Sequence, residues 1–436
     1  MTIEQPTFPL TADQFAAALR RGHGRALQQV DRHGPGGLED AITQACVSCL
    51  TYDPQCEAER APWLMAIVDR ARLGEQVLRA IETALREPLP ENRHDMVQRS
   101  SILKELAAAG SHDARRLLYS SFARLPNTSE VVGDEQIVAL DGVDGLLRVA
   151  RQLGRWLQAD PDFRVCDGLA AQIGDSVAVD DAMAALEREA TRDADVASYL
   201  AGVRSTRESY GSAPKRFDVT GRTGAEIVAH VHSHPKDSCH WFWRWAAQAS
   251  DDDRETVFEA LLVSQEPEHV KRLFRCFAKT GVPRFDRRLL RWITHPDGQV
   301  QRAALNSLAS NTHADLRQAA LRLMASGDLA SGVTLLANNF EPGDFASCAG
   351  SLETPGDDDA HSLVGSLLDL CKAHPVAESL GCLLDIYEHS PCSTCREQAV
   401  ALLIDTDGVP RWVLEEASFD ANPDTRALVA TDRRSP

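Results

Sequence analysis

HPDGQVQRAALNSLA at residues 295–309 and NTHADLRQAALRLMA at residues 311–325 superimpose at an offset of 16 residues, 311 against 295. Val300 then matches Leu316, Ala303 matches Ala319, Ala304 matches Ala320, Leu305 matches Leu321 and Leu308 matches Met324. A third copy, SPCSTCREQAVALL at residues 390–403, sets Pro391 against Pro296, Cys395 against Val300, Ala399 against Ala304, Val400 against Leu305 and Leu403 against Leu308. Apolar positions recur at steps of three and four, so each copy predicts an amphipathic helix that buries one stripe. Proline ahead of the helix and small alanines on the stripe predict a sharp turn followed by close approach of a neighbour.

A proline-led turn, then apolar, Arg, two more residues, Ala and apolar, resembles the second half of a HEAT repeat. Arg317 and Arg396 stand where that family tends to place its arginine, whereas Gln301 departs from the pattern, with Arg302 one residue late. The resemblance covers residues 223–430. It implies an all-α chain built as a HEAT-like α-solenoid, a right-handed stack of antiparallel helix pairs. Thr223–Glu226, Thr394–Glu397 and Thr11–Gln14 have the spacing of capping boxes, and HPDG, GVP, EPGD and TPGD read as helix-to-helix turns.

Upstream, residues 1–208 also read as helices: TADQFAAALRR, GLEDAITQACVSCL, PWLMAIVDRA, GEQVLRAIETAL, GLLRVARQLGRWLQ and VDDAMAALEREA. They share no fixed period, so degenerate repeats, a capping bundle and a separate helical domain all fit. SYGSAPKRFDVTGR, residues 209–222, lacks helical periodicity and is expected to be a loop or linker before a repeat region at 223–436.

Composition narrows the classes of function. Apolar residues make up 43% and charged residues 25%, enough to build a core and to exclude wholesale disorder. A formal net charge of −18 works against general nucleic-acid or anionic-membrane binding. The opening MTIEQPTFPLTADQF has no basic stretch before an apolar run, and no run approaches the roughly 20 apolar residues of a membrane helix. With 11 cysteines, an odd number, free thiols in a reducing, cytoplasmic setting are expected.

Four features carry chemistry. Between 271 and 291 the chain holds Lys271, Arg272, Arg275, Lys279, Arg284, Arg287, Arg288 and Arg291 against the single acid Asp286. On helices, Lys271, Arg275 and Lys279 would share one face, and Arg284, Arg287 or Arg288, and Arg291 the next, giving either solvated faces or a basic ridge for an acidic protein or a phosphate-bearing ligand. Trp241 and Trp245 fall on one helix face and read as a core wedge or a stacking surface. His230 and His234, four apart, could face one metal with Cys239 or His240, although no Glu follows His230 as a metalloprotease helix requires. Cys392 and Cys395 form a C-x-x-C that zinc or thiol exchange could use, with His389, Cys382 or Cys371 as further ligands, while the copy alignment puts Cys395 at a core position.

No phosphate-binding glycine loop, dinucleotide fingerprint or nucleophile elbow is present in the sequence. No cofactor is implied. These readings point to a non-catalytic interaction scaffold that offers a solenoid surface to a protein partner, an acidic one where the basic ridge is the contact. The alternatives are a HEAT-fold enzyme or nucleic-acid binder, resembling DNA alkylation glycosylases or bilin lyases, and a zinc- or redox-responsive scaffold.

Overall fold

A computed structural model describes residues 4–88, 93–126, 128–165, 168–173, 179–211, 217–348, 350–352 and 356–431. The chain is predominantly helical and divides into two units. One comprises residues 6–214 with 416–426; the other comprises 215–415 with residues 4–5 and 427–431 of the termini. The expected linker at 209–222 is described only in part, since 212–216 fall outside the described residues.

In the N-terminal unit the helices are α1 (Ala12–Arg21), α2 (Arg25–His33), α3 (Glu39–Val47), α4 (Ala61–Ala71), α5 (Gly74–Ala84), α6 (Arg93–Ala108), α7 (His112–Ser121), α8 (Asp134–Ala159), α9 (Val179–Ala190) and α10 (Ala194–Gly211). Each packs on helices one to three places away in sequence. Their apolar faces form one cluster that runs from Phe15 and Leu19 through Ile67, Ile81 and Leu118 to Val149 and Leu200. Thr11 and Gln14 close the expected capping box at the start of α1. A strand pair, β1 (Ala123–Arg124) with β2 (Val131–Val132), interrupts the helices, Ala123 facing Val132 and Arg124 facing Val131.

Residues 416–426 complete this unit. Glu416, with only 3% of its side chain exposed, takes His23 Nδ1 at 2.9 Å and Arg25 Nε at 2.9 Å. Trp63 Nε1 donates to the Phe419 carbonyl at 2.8 Å, and the Ala421 N–H donates to the Gly22 carbonyl at 2.9 Å. Only glycine fits at position 24, because a Cβ there would stand 2.0 Å from the Glu416 carbonyl oxygen.

The C-terminal unit continues with α11 (Gly224–Ser233), α12 (Trp243–Ala246), α13 (Asp251–Val263), α14 (Pro267–Cys276), α15 (Gly298–Leu308), α16 (Ala314–Ala325), α17 (Leu329–Leu336), α18 (Asp357–Ala373), α19 (Ser379–His389) and α20 (Ser393–Asp405). After these come α21 (Arg411–Ala417) and α22 (Pro423–Thr431). Its contacts run in two series. α14, α15, α17, α18 and α20 touch successively, and each has a companion beside it: α13 on α14, a three-ten turn at Arg287–Trp292 on α15, α16 on α17, α19 on α20. Val300, Ala304, Leu316, Ala320, Ala399, Val400 and Leu403 are all buried, as the shared pattern requires.

The first two copies of that pattern nevertheless take different places. Both touch α17 and the Arg287–Trp292 turn, but α15 also packs on α14, whereas α16 packs mainly on α17. One result is that Leu305 is buried while its counterpart Leu321 is 41% exposed. Thr223 and Glu226 cap α11 reciprocally, but α20 starts at Ser393 with Cys392 in the N-cap position, which puts Thr394 inside the first turn. The HPDG and EPGD turns precede α15 and follow α17; Thr354 and Pro355 of the TPGD turn lie outside the described residues.

Arginines tie successive elements together. Arg272, 2% exposed, donates to the carbonyls of Val231 at 2.8 Å and His234 at 3.0 Å, satisfying acceptors at the end of α11. Arg317 grips Asp344 through two bonds of 2.7 and 2.9 Å and also donates to the Asn339 carbonyl at 2.8 Å.

Candidate binding groove

The first helical series leaves a groove of about 970 Å³ along α14, α15, α17 and α18, with His240 and Trp243 among its lining residues. Its walls mix alanines with polar and charged side chains. Arg275, Lys279 and Arg302 contribute three cations against the carboxylate of Asp369, and Gln299, Asn306, Ser310 and Asn338 add hydrogen-bonding groups. Lys279, Arg302 and Asn306 are exposed. A second depression of about 550 Å³ shares Arg302, Asn306, Thr334 and Ser366 with the first and extends toward Asp328 and Asp359. A cationic stretch therefore runs into a more acidic one along the same helices.

Two parts of the expected basic ridge are arranged differently from the expectation. Lys271 is buried and held by Glu268 at 2.7 Å and Gln299 at 3.1 Å. Arg275 donates to the Ser238 carbonyl and reaches the groove. The second half forms a three-ten turn, and its charges are mostly matched. Arg284 pairs with Glu255 at 2.9 Å and with Glu259, and it lies over the Phe258 ring. Arg287 makes two 2.8 Å bonds to Asp315, and Arg288 holds Asp286 at 2.8 Å. The Arg288 side chain hydrogen bond, with its backbone N–H, lowers the Asp286 carboxyl to about 2. Arg291 donates to the Ser264 carbonyl at 3.1 Å and covers Trp292. The cations that face the groove are thus Arg275, Lys279 and Arg302.

The aromatics are sorted by the shortness of α12, which spans four residues and cannot present a long face. Trp245 is fully buried and donates through Nε1 to the Arg222 carbonyl at 2.7 Å. Trp241 is half-buried beside His240, with Arg244 4.7 Å above its ring. Trp243 is the tryptophan that lines the groove. Helical spacing put Trp241 and Trp245 on one face and left Trp243 off it, because it assumed a helix across the whole WFWRW run that the four-residue α12 does not provide.

Two clusters bring metal-ligating side chains together. In one, His230 Nε2 lies 2.8 Å from Asp237 Oδ2, and Cys239 approaches so that the three donor atoms lie within 4.8 Å of one another. His230 is sandwiched between Phe217, at 3.8 Å between ring centroids, and His234, at 4.1 Å. Hydrogen bonding within the turn accounts for this cluster. Burial pushes the Asp237 carboxyl up, but the Cys239 N–H and His230 more than offset it and leave it below the ordinary value. Burial, with Asp237 adding to it, raises the Cys239 thiol to about 12, which keeps it protonated.

The other cluster joins His361 of α18 to Cys392 and Cys395 at the start of α20. The further ligands expected for the C-x-x-C lie elsewhere. His389 Nδ1 bonds Asp385 at 2.8 Å, and Cys371, Cys382 and Cys348 are buried close together in the core. Burial also raises Cys46 to about 12 and Cys348 to about 11, so these behave as apolar core groups. His361 carries no signal in the sequence that would link it to the C-x-x-C, since it belongs to a different helix.

No protein-family model, no curated protein and no solved structure matches this chain. No helix among the described residues is long and apolar enough to cross a membrane.

Proposed function

We propose that the chain is a non-catalytic interaction scaffold whose C-terminal unit is a HEAT-like α-solenoid, and that its groove receives an acidic, extended segment of a protein partner. The observation that carries this reading is the placement of Arg275, Lys279 and Arg302 with exposed amides and hydroxyls along one row of helices in a molecule of net charge −18. A local cationic strip on an acidic surface attracts acidic segments and repels basic ones. Amide side chains such as Asn306 and Asn338 suit the backbone of an extended peptide, which presents both donors and acceptors.

The nucleic-acid alternative loses two of its supports, because Trp245 is core and Arg284, Arg287 and Arg288 are already matched by carboxylates. Panning a displayed random-peptide library on the purified chain tests the proposal. Selected peptides should be rich in Asp and Glu, and should bind about tenfold more weakly, roughly 1.4 kcal/mol, when Lys279→Glu and Arg302→Glu are combined. Peptides without acidic bias, or binding indifferent to the double reversal, would overturn it. Duplex DNA binding at low salt, lost in the same variant, would favour the nucleic-acid reading instead.

A further inference from the structure

We propose that His361, Cys392 and Cys395 form a binding site for a zinc-class divalent cation that staples α18 to α20. The three donor atoms lie within 4.8 Å of one another, with Cys395 Sγ 3.9 Å from His361 Nδ1. Zinc bonds of about 2.3 Å to sulfur and 2.0–2.1 Å to nitrogen set tetrahedral edges of about 3.5–3.8 Å. Closing around the ion therefore asks for shifts of about 1 Å or less. Two thiolates and one imidazole are a borderline-soft set that selects zinc over magnesium or calcium.

Comparison with the other pattern copies gives an independent reason. Cys392 stands where Asp297 caps α15 and His313 caps α16, both accepting backbone N–H groups through their side chains. A thiol is a weak acceptor and a poor substitute in that role. Cys395 stands where Val300 and Leu316 are fully buried aliphatics. The third copy thus gives up a cap and a core aliphatic together, three residues apart, at the one helix start that His361 faces.

Cys392 is the N-cap and Cys395 the third residue of a 13-residue helix, so both thiols stand at its N-terminal end. Ser390, fully buried, accepts from the Cys392 N–H at 3.3 Å and donates to the Cys392 carbonyl at 3.0 Å, which fixes the loop that presents Cys392. Metal binding releases the two thiol protons to solvent, and water takes the fourth position of the tetrahedron on the half-exposed side of His361.

Cobalt reports on such a site directly. The full-length chain, reduced and stripped with chelator, should develop thiolate-to-cobalt charge-transfer absorption that saturates at one equivalent and is displaced by Zn²⁺. Cys392→Ser and Cys395→Ser should each reduce that absorption, and their combination should abolish it. His361→Gln, at a half-exposed position that tolerates change, should weaken Co²⁺ affinity by about 10–100-fold or more. His230→Ala, at the other cluster, should leave it unchanged. Absence of the band in the reduced wild-type chain, or a band that survives the double serine variant, overturns the site.

Discussion

The two units use the same tool for different ends. In the C-terminal unit, arginines reach from one element to carbonyls of another nearby in sequence: Arg272 to Val231 and His234, Arg317 to Asn339. In the N-terminal unit, Arg60 caps α1 at the Leu19 carbonyl and Arg99 donates to the Val47 carbonyl at the end of α3, but Arg25 is committed to Glu416 from the far end of the chain. Arginine bonds that run between elements close in sequence leave a row of helices open beside them. A unit that needs a segment nearly 400 residues away, His23 to Glu416 being separated by 393, closes on itself. The first arrangement leaves a groove; the second spends its polar side chains on closure.

Removing the closing charge should give the largest effect. Glu416→Ala leaves His23 and Arg25 in a site from which water is excluded, and breaking a buried ion pair on one side costs about 3–5 kcal/mol. The loss should appear in native-state hydrogen exchange of α1 and α2, while amides of α14 to α18 keep their protection. Equal loss in both regions, or a change under about 1 kcal/mol in α1, would erase the contrast drawn here.

Next comes Arg317→Ala, which should cost about 1.5–3 kcal/mol at neutral pH through its charge-assisted bonds to Asp344. Its pH dependence sharpens the test. Burial raises the Asp344 carboxyl, but Arg317 and the Glu341 N–H more than offset this and hold it below the ordinary value. The stabilisation is therefore complete above the unfolded pKa of about 4 and disappears as the pH falls through the lower folded value. Wild type and variant should accordingly differ most above pH about 5 and converge in acid when chemical denaturation is followed at each pH. A gap that is constant down to pH about 2 would assign the cost to packing of the arginine stem.

Legibility follows the same divide. Helices with one clean apolar stripe, such as α1, α4, α5, α9 and α15, were readable because burial there is an aliphatic matter. α2 and α6 were not, since their buried faces carry Gln28 and Gln29, and Gln98, Arg99, Ser100 and Ser101, whose partners come from remote positions: Gln29 accepts from the Leu10 N–H, and Ser101 from Gln136. Local pattern cannot announce a polar core that distant residues satisfy. The groove was half readable. Arg275 and Lys279 are in the cationic run, but Arg302 and Trp243 acquire their roles from which helix row they join. Cys392 and Cys395 were visible as a motif, whereas His361 joins them only through the packing of α18 on α20.

The smallest effect is the most instructive about repeats. Leu305 and Leu321 occupy the same place in two copies of one pattern, yet Leu305 is 6% exposed and Leu321 41%. If burial decides the cost of truncation, Leu321→Ala should change stability by only about 1 kcal/mol, below the roughly 2–5 kcal/mol of a core leucine, because two-fifths of the residue stays in water and no cavity opens. Denaturant midpoints of the variant at two protein concentrations measure this cleanly. A loss above about 1.5 kcal/mol that grows with concentration would mean that a second copy covers this face in solution, and the exposed side of α16 would have to be counted as an interface. A loss of that size independent of concentration would mean that α16 buries Leu321 against its own unit, restoring the equivalence of the two copies that their packing partners deny.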